Sequence, residues 1–155
     1  MISIGKFNLT INAYDLADQI ASLINAGGQI QYHLNKYSVL SGNVRYIVEV
    51  DREKVVGAIA LDQKNDRVTE LKFLCVHPEY RRQGLGKRLL EIGMKNSSTE
   101  YVYGTVRSDN STNIRNNFRV GMRPIGKHRG RGCNIIIFAK RRGTNARHSL
   151  YEKRA

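Results

Sequence analysis

One short segment, residues 76–87, constrains the fold of this chain more than any other, because it joins a β-like run to a helix through closely spaced glycines. The segment reads VHPEYRRQGLGK, and Gly84 and Gly86 stand where the helix begins. A helix N-terminus offers unpaired N–H groups and partial positive charge, and glycines let a ligand approach the backbone. Three cations add charge: Arg81, Arg82 and Lys87. The segment predicts a pyrophosphate-binding turn; a capping loop in a generic α/β protein is the alternative.

Strand and helix patterns alternate on both sides of this turn. Helices are predicted over residues 13–25, after Asn12 as cap, more weakly over 29–40, from 84 onwards, and over 110–120. Strands are predicted over residues 45–50, 55–61, 68–76, 101–106 and 133–139. The first three strands form an antiparallel meander, and residues 123–132 form a loop. Because a helix separates strands 68–76 and 101–106, these two can run parallel through a right-handed crossover.

Length and composition indicate a single domain. The chain has 155 residues and 41% hydrophobic content, enough for one sizeable core. We expect that domain over residues 1–140, followed by a basic, mobile tail over 141–155. No apolar run approaches the length of a membrane span and no signal peptide is evident, so we expect a cytoplasmic protein, in the host cytoplasm if the source is viral. Cys75 and Cys133 are predicted to be reduced thiols, and no metal is implied.

The glycine-rich segment resembles the signature of the GNAT superfamily of N-acetyltransferases. That signature, Arg/Gln-x-x-Gly-x-Gly/Ala after a strand ending in Val-x-Pro, is matched by RRQGLG at 81–86 after VHP at 76–78. Neither rival nucleotide motif fits, since the Gly-Lys-Ser/Thr of the Walker pattern and a six-residue dinucleotide fingerprint are both missing. The order of strand, turn and helix agrees with the family.

A second family element, Asn-x-x-Ala/Ser-Ile-x-x-Tyr-x-x-x-Gly-Phe, is matched in part downstream. Four residues are in register: Asn110, Ile114, Gly121 and Met122. Asn113 replaces the small residue, and Asn117 falls on the tyrosine that the family is thought to use to protonate the departing thiolate. The resemblance covers about residues 55–139.

The resemblance implies the α/β (α+β) GNAT fold and acetyl-CoA as co-substrate, without a metal. The fold is a central mixed, mostly antiparallel sheet with a parallel, splayed pair of strands at its centre and helices on both faces. The strand before the turn would pair with the pantetheine arm, and amides at 83–87 would hold the pyrophosphate. The implied cofactor-binding residues are Leu74, Cys75, Val76, Arg81, Arg82, Gln83, Gly84, Leu85, Gly86, Lys87 and Asn110. An amide near Val76 would stabilise the oxyanion of the tetrahedral intermediate.

Two residues are candidates for the chemistry. Glu70 resembles the carboxylate used by histone-acetylating members of the family and is a candidate general base. The alternative is an exposed strand glutamate paired with Lys72 or Arg67. Asn117 can hydrogen-bond the sulfur but cannot supply a proton at neutral pH, so Tyr103 or water would do so. A non-catalytic acetyl-CoA-binding module is therefore a further alternative.

The charge distribution bears on the acceptor. The net charge is +13, and residues 1–76 hold eight basic and eight acidic residues, so the whole excess lies in residues 77–155. Three cations of the predicted loop, Lys127, Arg129 and Arg131, suit an anionic acceptor better than a basic histone tail. We expect an amine on nucleic acid, such as an aminomethylated base in DNA, as in small phage-type enzymes, or tRNA. A small-molecule or protein amine is the alternative, and the protein is expected to be a monomer or homodimer.

Overall fold

The computed structural model describes residues 2–4, 11–28, 30 and 32–143. The strands are β1 (Ile2–Ile4), β2 (Arg45–Asp51), β3 (Lys54–Gln63), β4 (Val68–Val76), β5 (Tyr101–Arg107), β6 (Arg123–Arg129) and β7 (Asn134–Arg141). The helices are α1 (Ala13–Ala26), α2 (Lys36–Ser41), α3 (Leu85–Asn96) and α4 (Ser111–Arg119). A single 3-10 turn, Pro78–Tyr80, connects β4 towards α3.

Within these residues the strands form one seven-stranded sheet in the order β1-β2-β3-β4-β5-β7-β6. The meander β2-β3-β4 is antiparallel, as are β5-β7 and β6-β7. Strands β4 and β5 are parallel, and β1 runs parallel to β2. The predicted fold class is confirmed: the sheet is mixed and mostly antiparallel, a parallel pair lies at its centre, and helices cover both faces.

The parallel pair is splayed. Residues 68–70 of β4 pair with residues 101–103 of β5. Both strands lie wholly within the described residues and continue beyond these positions without further pairing to each other. The strand β4 then bulges, because Phe73 takes a φ of 56° and the register with β3 shifts between Ala58 and Ala60. A bulge increases the local twist and bends the strand, so the two strands separate towards the start of α3. Phe73 gave no sign of this in the sequence.

Each face of the sheet has its own core. On one face α3 and α4 pack on the sheet through buried residues such as Leu71, Leu89 and Phe138. On the other face α1 and α2 bury residues that include Ile20 and Tyr46. The helical stripe predicted for residues 13–25 lies on this second core, which explains its spacing.

The predicted helix over 29–40 is wrong in its extent, since α2 covers only Lys36–Ser41. Asn35 is the cap: its Oδ1 accepts the N–H of Ser38 at 3.0 Å, and the Ser38 hydroxyl accepts the Asn35 N–H at 3.2 Å. This reciprocal capping box fixes the helix start at residue 36, and residues 32–35 are not helical. Residues 29 and 31 lie outside the described residues.

The predicted loop over 123–132 is also wrong, because Arg123–Arg129 form β6, the edge strand beside β7. All seven residues of β6 are exposed, so the strand has no apolar alternation for a sequence pattern to reveal. Backbone pairing to β7 holds it in place, with an irregularity between Pro124 and Gly126. Only residues 130–132 match the expected loop, and Cys133, predicted to begin the last strand, precedes β7 by one residue.

The last strand reaches slightly past the expected domain end at residue 140. Arg141 ends β7, and the Arg142 N–H donates to the Glu100 carbonyl at 2.7 Å. The Arg142 guanidinium also donates to the carbonyls of Ser97 and Thr99. These two arginines therefore belong to the folded body. Most of the predicted mobile tail, residues 144–155, lies outside the described residues.

Candidate functional site

A cleft of about 1210 Å³ opens at the N-terminus of α3, where β4 and β5 separate. Ten of the predicted cofactor-binding residues line it: Leu74, Cys75, Val76, Arg81, Arg82, Gly84, Leu85, Gly86, Lys87 and Asn110. Of that predicted set, which lies wholly within the described chain, only Gln83 is outside the lining. Its Nε2 donates to the Glu79 carbonyl at 3.4 Å. The structure thus brings both sequence motifs to one cleft.

The glycine-rich turn leaves the first N–H groups of α3 available to a ligand. Arg82 and Gly84 take left-handed φ values of 62° and 78° to make the turn. Gly84 is the N-cap residue, and within the described chain no side chain caps this helix end. A Cβ on Gly86 would lie 3.0 Å from Asn116 Nδ2, so the backbone here approaches α4 closely. An uncapped helix start lined by cations is suited to a pyrophosphate.

Further cations reach the cleft from β5 and α4, and the sequence analysis missed them. Arg107, Arg115 and Arg119 all line the cleft. Asp109 holds Arg107 through two contacts of 3.0 and 2.7 Å, and the hydrogen bond from this guanidinium lowers the pKa of Asp109. The i, i+4 spacing of Arg115 and Arg119 in the predicted helix 110–120 was the available signal.

Cys75 lines the cleft as a thiol. Its Sγ donates to the Leu23 carbonyl at 3.1 Å, and burial raises the pKa of the thiol. A thiolate is the nucleophilic form, so this environment opposes a nucleophilic role. Both cysteines are free.

Glu70 lies where the parallel pairing ends, opposite Tyr103. Its Oε2 is 2.9 Å from Lys64 Nζ, which is also 2.6 Å from Asp62 Oδ2. The partner of Glu70 is therefore Lys64; of the two cations considered as alternatives, Lys72 pairs with Asp62 at 2.8 Å and Arg67 with Glu100 at 3.2 Å. The Glu70 side chain is mostly buried.

The charges around Glu70 affect two neighbouring groups. Burial acts to raise the pKa of Asp62, but hydrogen bonds from Lys64 and Lys72 outweigh it and lower that pKa. Burial, with the negative charge of Glu70, raises the pKa of Tyr103. Tyr103 therefore keeps its phenolic proton at neutral pH, and the raised pKa makes it a weaker acid.

Asn117 lies on α4, and its side chain is buried. Its Nδ2 donates to the Asn113 carbonyl at 2.8 Å and to Asn113 Oδ1 at 3.1 Å. Neither Asn117 nor Glu70 belongs to the cleft lining drawn from the described residues. Their catalytic roles stay predictions.

The predicted acceptor cations lie at the edge of the sheet, and all are exposed. Lys127 pairs with Ile136 and Arg129 with Asn134. Ile136 packs on the core under α3 and α4, and paired residues project from the same face, so both cations belong to that face. Glu70 pairs with Asp62 and so projects from the same face of the sheet as Asp62. Asp62 is two residues from Ala60 on β3 and shares its face, and Ala60 packs on the core under α1 and α2. The base candidate and these two cations are thus on opposite faces.

The described residues contain neither a membrane-spanning helix nor a cluster of metal-ligating side chains. No helix among them has both the length and the apolar character to cross a bilayer. Nowhere in the same ranges do three or more His, Cys, Asp or Glu side chains come together as metal ligands.

Residues 42–154 match the family model described as an acetyltransferase (GNAT) domain. No curated protein matches the chain. Among solved structures, yncA from Salmonella typhimurium, determined with its cofactor acetyl-CoA, has a TM-score of 0.71 at 15% identity, covering 91% of this chain and 94% of that one. A GNAT acetyltransferase from Bacillus cereus has a TM-score of 0.68 at 22% identity, covering 88% and 97%. At these identities the structures show a shared fold.

Proposed function

The chain belongs to the GNAT family of acetyltransferases, which use acetyl-CoA, and we propose that its acceptor is a primary amine carried on nucleic acid. The observation that carries the cofactor assignment is the cleft at the start of α3 between the separated strands β4 and β5. The observation that favours an anionic acceptor is the exposed, basic strand β6.

The cleft suits the parts of acetyl-CoA in order. The pyrophosphate would bind the free N–H groups at the start of α3, between Arg81 and Lys87. The pantetheine arm would run along residues 74–76, whose backbone is not paired with β5 in the described sheet. The Val76 carbonyl accepts a hydrogen bond from Arg81 Nε at 3.1 Å. The thioester would then reach towards the closed end of the splay, where Glu70 and Tyr103 face each other. The yncA structure holds acetyl-CoA in the same fold, which supports this placement.

The residues at the closed end would carry the transfer. Glu70 would accept a proton from the acceptor ammonium, and the freed amine would attack the thioester carbonyl. Backbone N–H groups of β4 that face the splay would stabilise the oxyanion. Tyr103 would protonate the leaving thiolate. Asn117 occupies the family's tyrosine position, and its side-chain amide donates both of its hydrogen bonds to Asn113.

Nucleic acid as the acceptor is supported by the charge at the sheet edge. Lys127, Arg129 and Arg131 are all exposed along β6 and its turn. Such cations bind phosphates without regard to sequence and would position an amine-bearing base or tRNA. Because β6 is the edge strand, a polyanion bound along it would have to pass the edge and cross β7 and β5 to bring its amine to Glu70 on β4.

A small-molecule or protein amine is the second candidate, and one observation favours it. Glu70 and Asp62 lie together on the face opposite Lys127 and Arg129. Two carboxylates attract a compact cation, and the basic strand would then be incidental.

Replacing Lys127, Arg129 and Arg131 together with alanine is expected to weaken nucleic-acid binding and flatten its salt dependence. Each lost phosphate contact should reduce the log-log slope by about 0.7 to 0.9. The measurement is a salt titration of DNA and RNA binding, with acetyl-CoA affinity expected to stay near wild type.

A charge-matched control replaces Lys36, Lys54 and Lys95 with alanine and should leave the slope near that of wild type. A chain ending at Gly143 tests whether the last residues alone bind nucleic acid. If the β6 variant behaves like the control, or the intact protein binds neither DNA nor RNA at about 0.1 M salt, the second candidate is the better assignment.

A further inference from the structure

The amine of Lys64 occupies the position beside Glu70 that an acceptor amine needs. Lys64 lies in the turn between β3 and β4, and its Nζ is 2.9 Å from Glu70 Oε2 and 2.6 Å from Asp62 Oδ2. We propose that Lys64 is an acetylation site of this protein, modified in cis by acetyl-CoA bound in the same molecule. This inference rests on the proposed function, since it uses the same cleft and the same base.

The position of Glu70 in the sheet brings Lys64 within reach of the thioester. Glu70 is the last residue of β4 that pairs with β5. A linear cofactor that enters the splay from α3 therefore has its tip directed at this closed end. The Lys64 side chain is 39% exposed, so its flexible four-carbon stem is free to move the amine from the carboxylates towards the carbonyl.

Other lysines nearby do not share this arrangement. Lys72 Nζ contacts Asp62 at 2.8 Å and lies 5.0 Å from the Phe73 ring centre. Lys54, the first residue of β3, pairs with Glu79 at 3.5 Å, and its side chain is 49% exposed. Among the described residues, Lys64 is the lysine whose ion pair is with Glu70. Lys54 is accordingly a matched internal control: an exposed lysine paired with a glutamate away from the closed end.

The carboxylates of Asp62 and Glu70 also allow catalysed acetylation of Lys64 to be distinguished from its uncatalysed reaction with free acetyl-CoA. Hydrogen bonds to Asp62 and Glu70 raise the pKa of Lys64. A lysine that holds its proton more tightly reacts more slowly with free acetyl-CoA than an ordinary exposed lysine. Faster modification of Lys64 than of Lys54 therefore requires help from the bound thioester next to it, and the Glu70→Gln variant tests whether that help includes a base.

The proposed step is balanced without any further reactant. Glu70 takes one proton from the Lys64 ammonium, and the amine nitrogen attacks the thioester carbonyl. The C–N bond forms as the C–S bond breaks, and the electron pair leaves on the sulfur. The amide nitrogen loses a second proton, the thiolate takes one up, and Glu70 returns its proton to solvent. The products are acetyl-Lys64, the free thiol of CoA and one proton.

The test incubates the full chain with acetyl-CoA alone and follows occupancy of Lys64 and Lys54 by peptide mass spectrometry. Lys64 is expected to be acetylated faster than Lys54, with a first-order rate constant that does not change on tenfold dilution of the protein. Glu70→Gln should lower the Lys64 rate by about 100-fold, the usual scale for a positioned base. Lys64→Arg should remove the release of CoA thiol that occurs without an added acceptor, while the thermal shift with acetyl-CoA remains.

Three outcomes would overturn the inference: Lys64 modified no faster than Lys54, a rate constant that rises with protein concentration, or an undiminished Lys64 rate in Glu70→Gln. Failure of the proposed function looks different. If acetyl-CoA produces no thermal shift, both fail; if it binds and the protein releases CoA with an added amine while Lys64 stays unmodified, the modification site alone is wrong.

Discussion

Replacing Glu70 with glutamine is expected to lower the rate of acetyl transfer by about 100-fold near neutral pH. Glutamine keeps the shape of the side chain but does not take a proton from the acceptor ammonium. The deficit should shrink as the pH rises towards about 10, where an aliphatic amine loses its proton without help. The measurement is the initial rate of CoA thiol release with a fixed amine acceptor, from about pH 6 to 10. Acetyl-CoA affinity should stay near wild type.

Asp62→Asn is the matched control for this variant. Asp62 is a neighbouring carboxylate on the same face, bound to the same lysine at 2.6 Å, but it lies on β3 and not beside the splay. A smaller effect, with an unchanged pH dependence, is expected. Equal loss in both variants would indicate that the charge of the cluster matters and not a base at Glu70. Full activity of Glu70→Gln at every pH would show that Glu70 is not the general base, and water would be the next candidate for that role.

Replacing Gly86 with valine is expected to abolish the rise in melting temperature that acetyl-CoA causes. Gly86 lies in the first turn of α3 and lines the cleft, and a Cβ there meets Asn116 Nδ2 at 3.0 Å and Val76 Cγ2 at 3.8 Å. The larger side chain would fill the phosphate position. Losing two hydrogen bonds to charged oxygens, at about 1.5 to 3 kcal/mol each, raises the dissociation constant by at least about 100-fold.

Calorimetry and thermal shift with acetyl-CoA measure this effect, since a ligand that binds only the folded state stabilises it by mass action. Gly143→Val is the control, because its Cβ would have no atom of the described residues within 4 Å and it is not among the residues that line the cleft. Circular dichroism should show that both variants are folded. If Gly86→Val bound acetyl-CoA with wild-type affinity, the proposal that the pyrophosphate binds at the start of α3 would be wrong.

The fold was predictable where one local pattern determined the structure. The strand at 68–76 and the glycine turn were recognised because alternating apolar residues, then glycines, then a helical stripe follow in one continuous segment. The strand β6 was not, because it is exposed on every residue and its place in the sheet is set by backbone pairing with β7. The weak helix was misplaced because Asn35 is an ordinary polar residue until its side chain caps Ser38.

The candidate site was predictable in part for a related reason. Most of the predicted cofactor-binding residues lie in one stretch of chain, and ten of that set line the cleft. Arg107, at the end of β5, and Arg115 and Arg119, on α4, join them through the packing of segments distant in the chain. The i, i+4 spacing of the two α4 arginines was the signal that the sequence offered. The Lys64 partner of Glu70 likewise depends on how the turn before β4 folds back, whereas sequence spacing suggested Lys72 or Arg67.

Acetyl transfer to an amine on nucleic acid is tested most directly by the mass of the acceptor. Intact-mass spectrometry would compare DNA bearing an aminomethylated pyrimidine, tRNA and a small polyamine after incubation with acetyl-CoA and the protein, with Gly86→Val as the inactive control. The predicted result is a gain of one acetyl group per reactive amine on the DNA or the tRNA, with wild type only. A gain confined to the polyamine would contradict the nucleic-acid acceptor, and no gain on any acceptor while acetyl-CoA binds would contradict transfer itself.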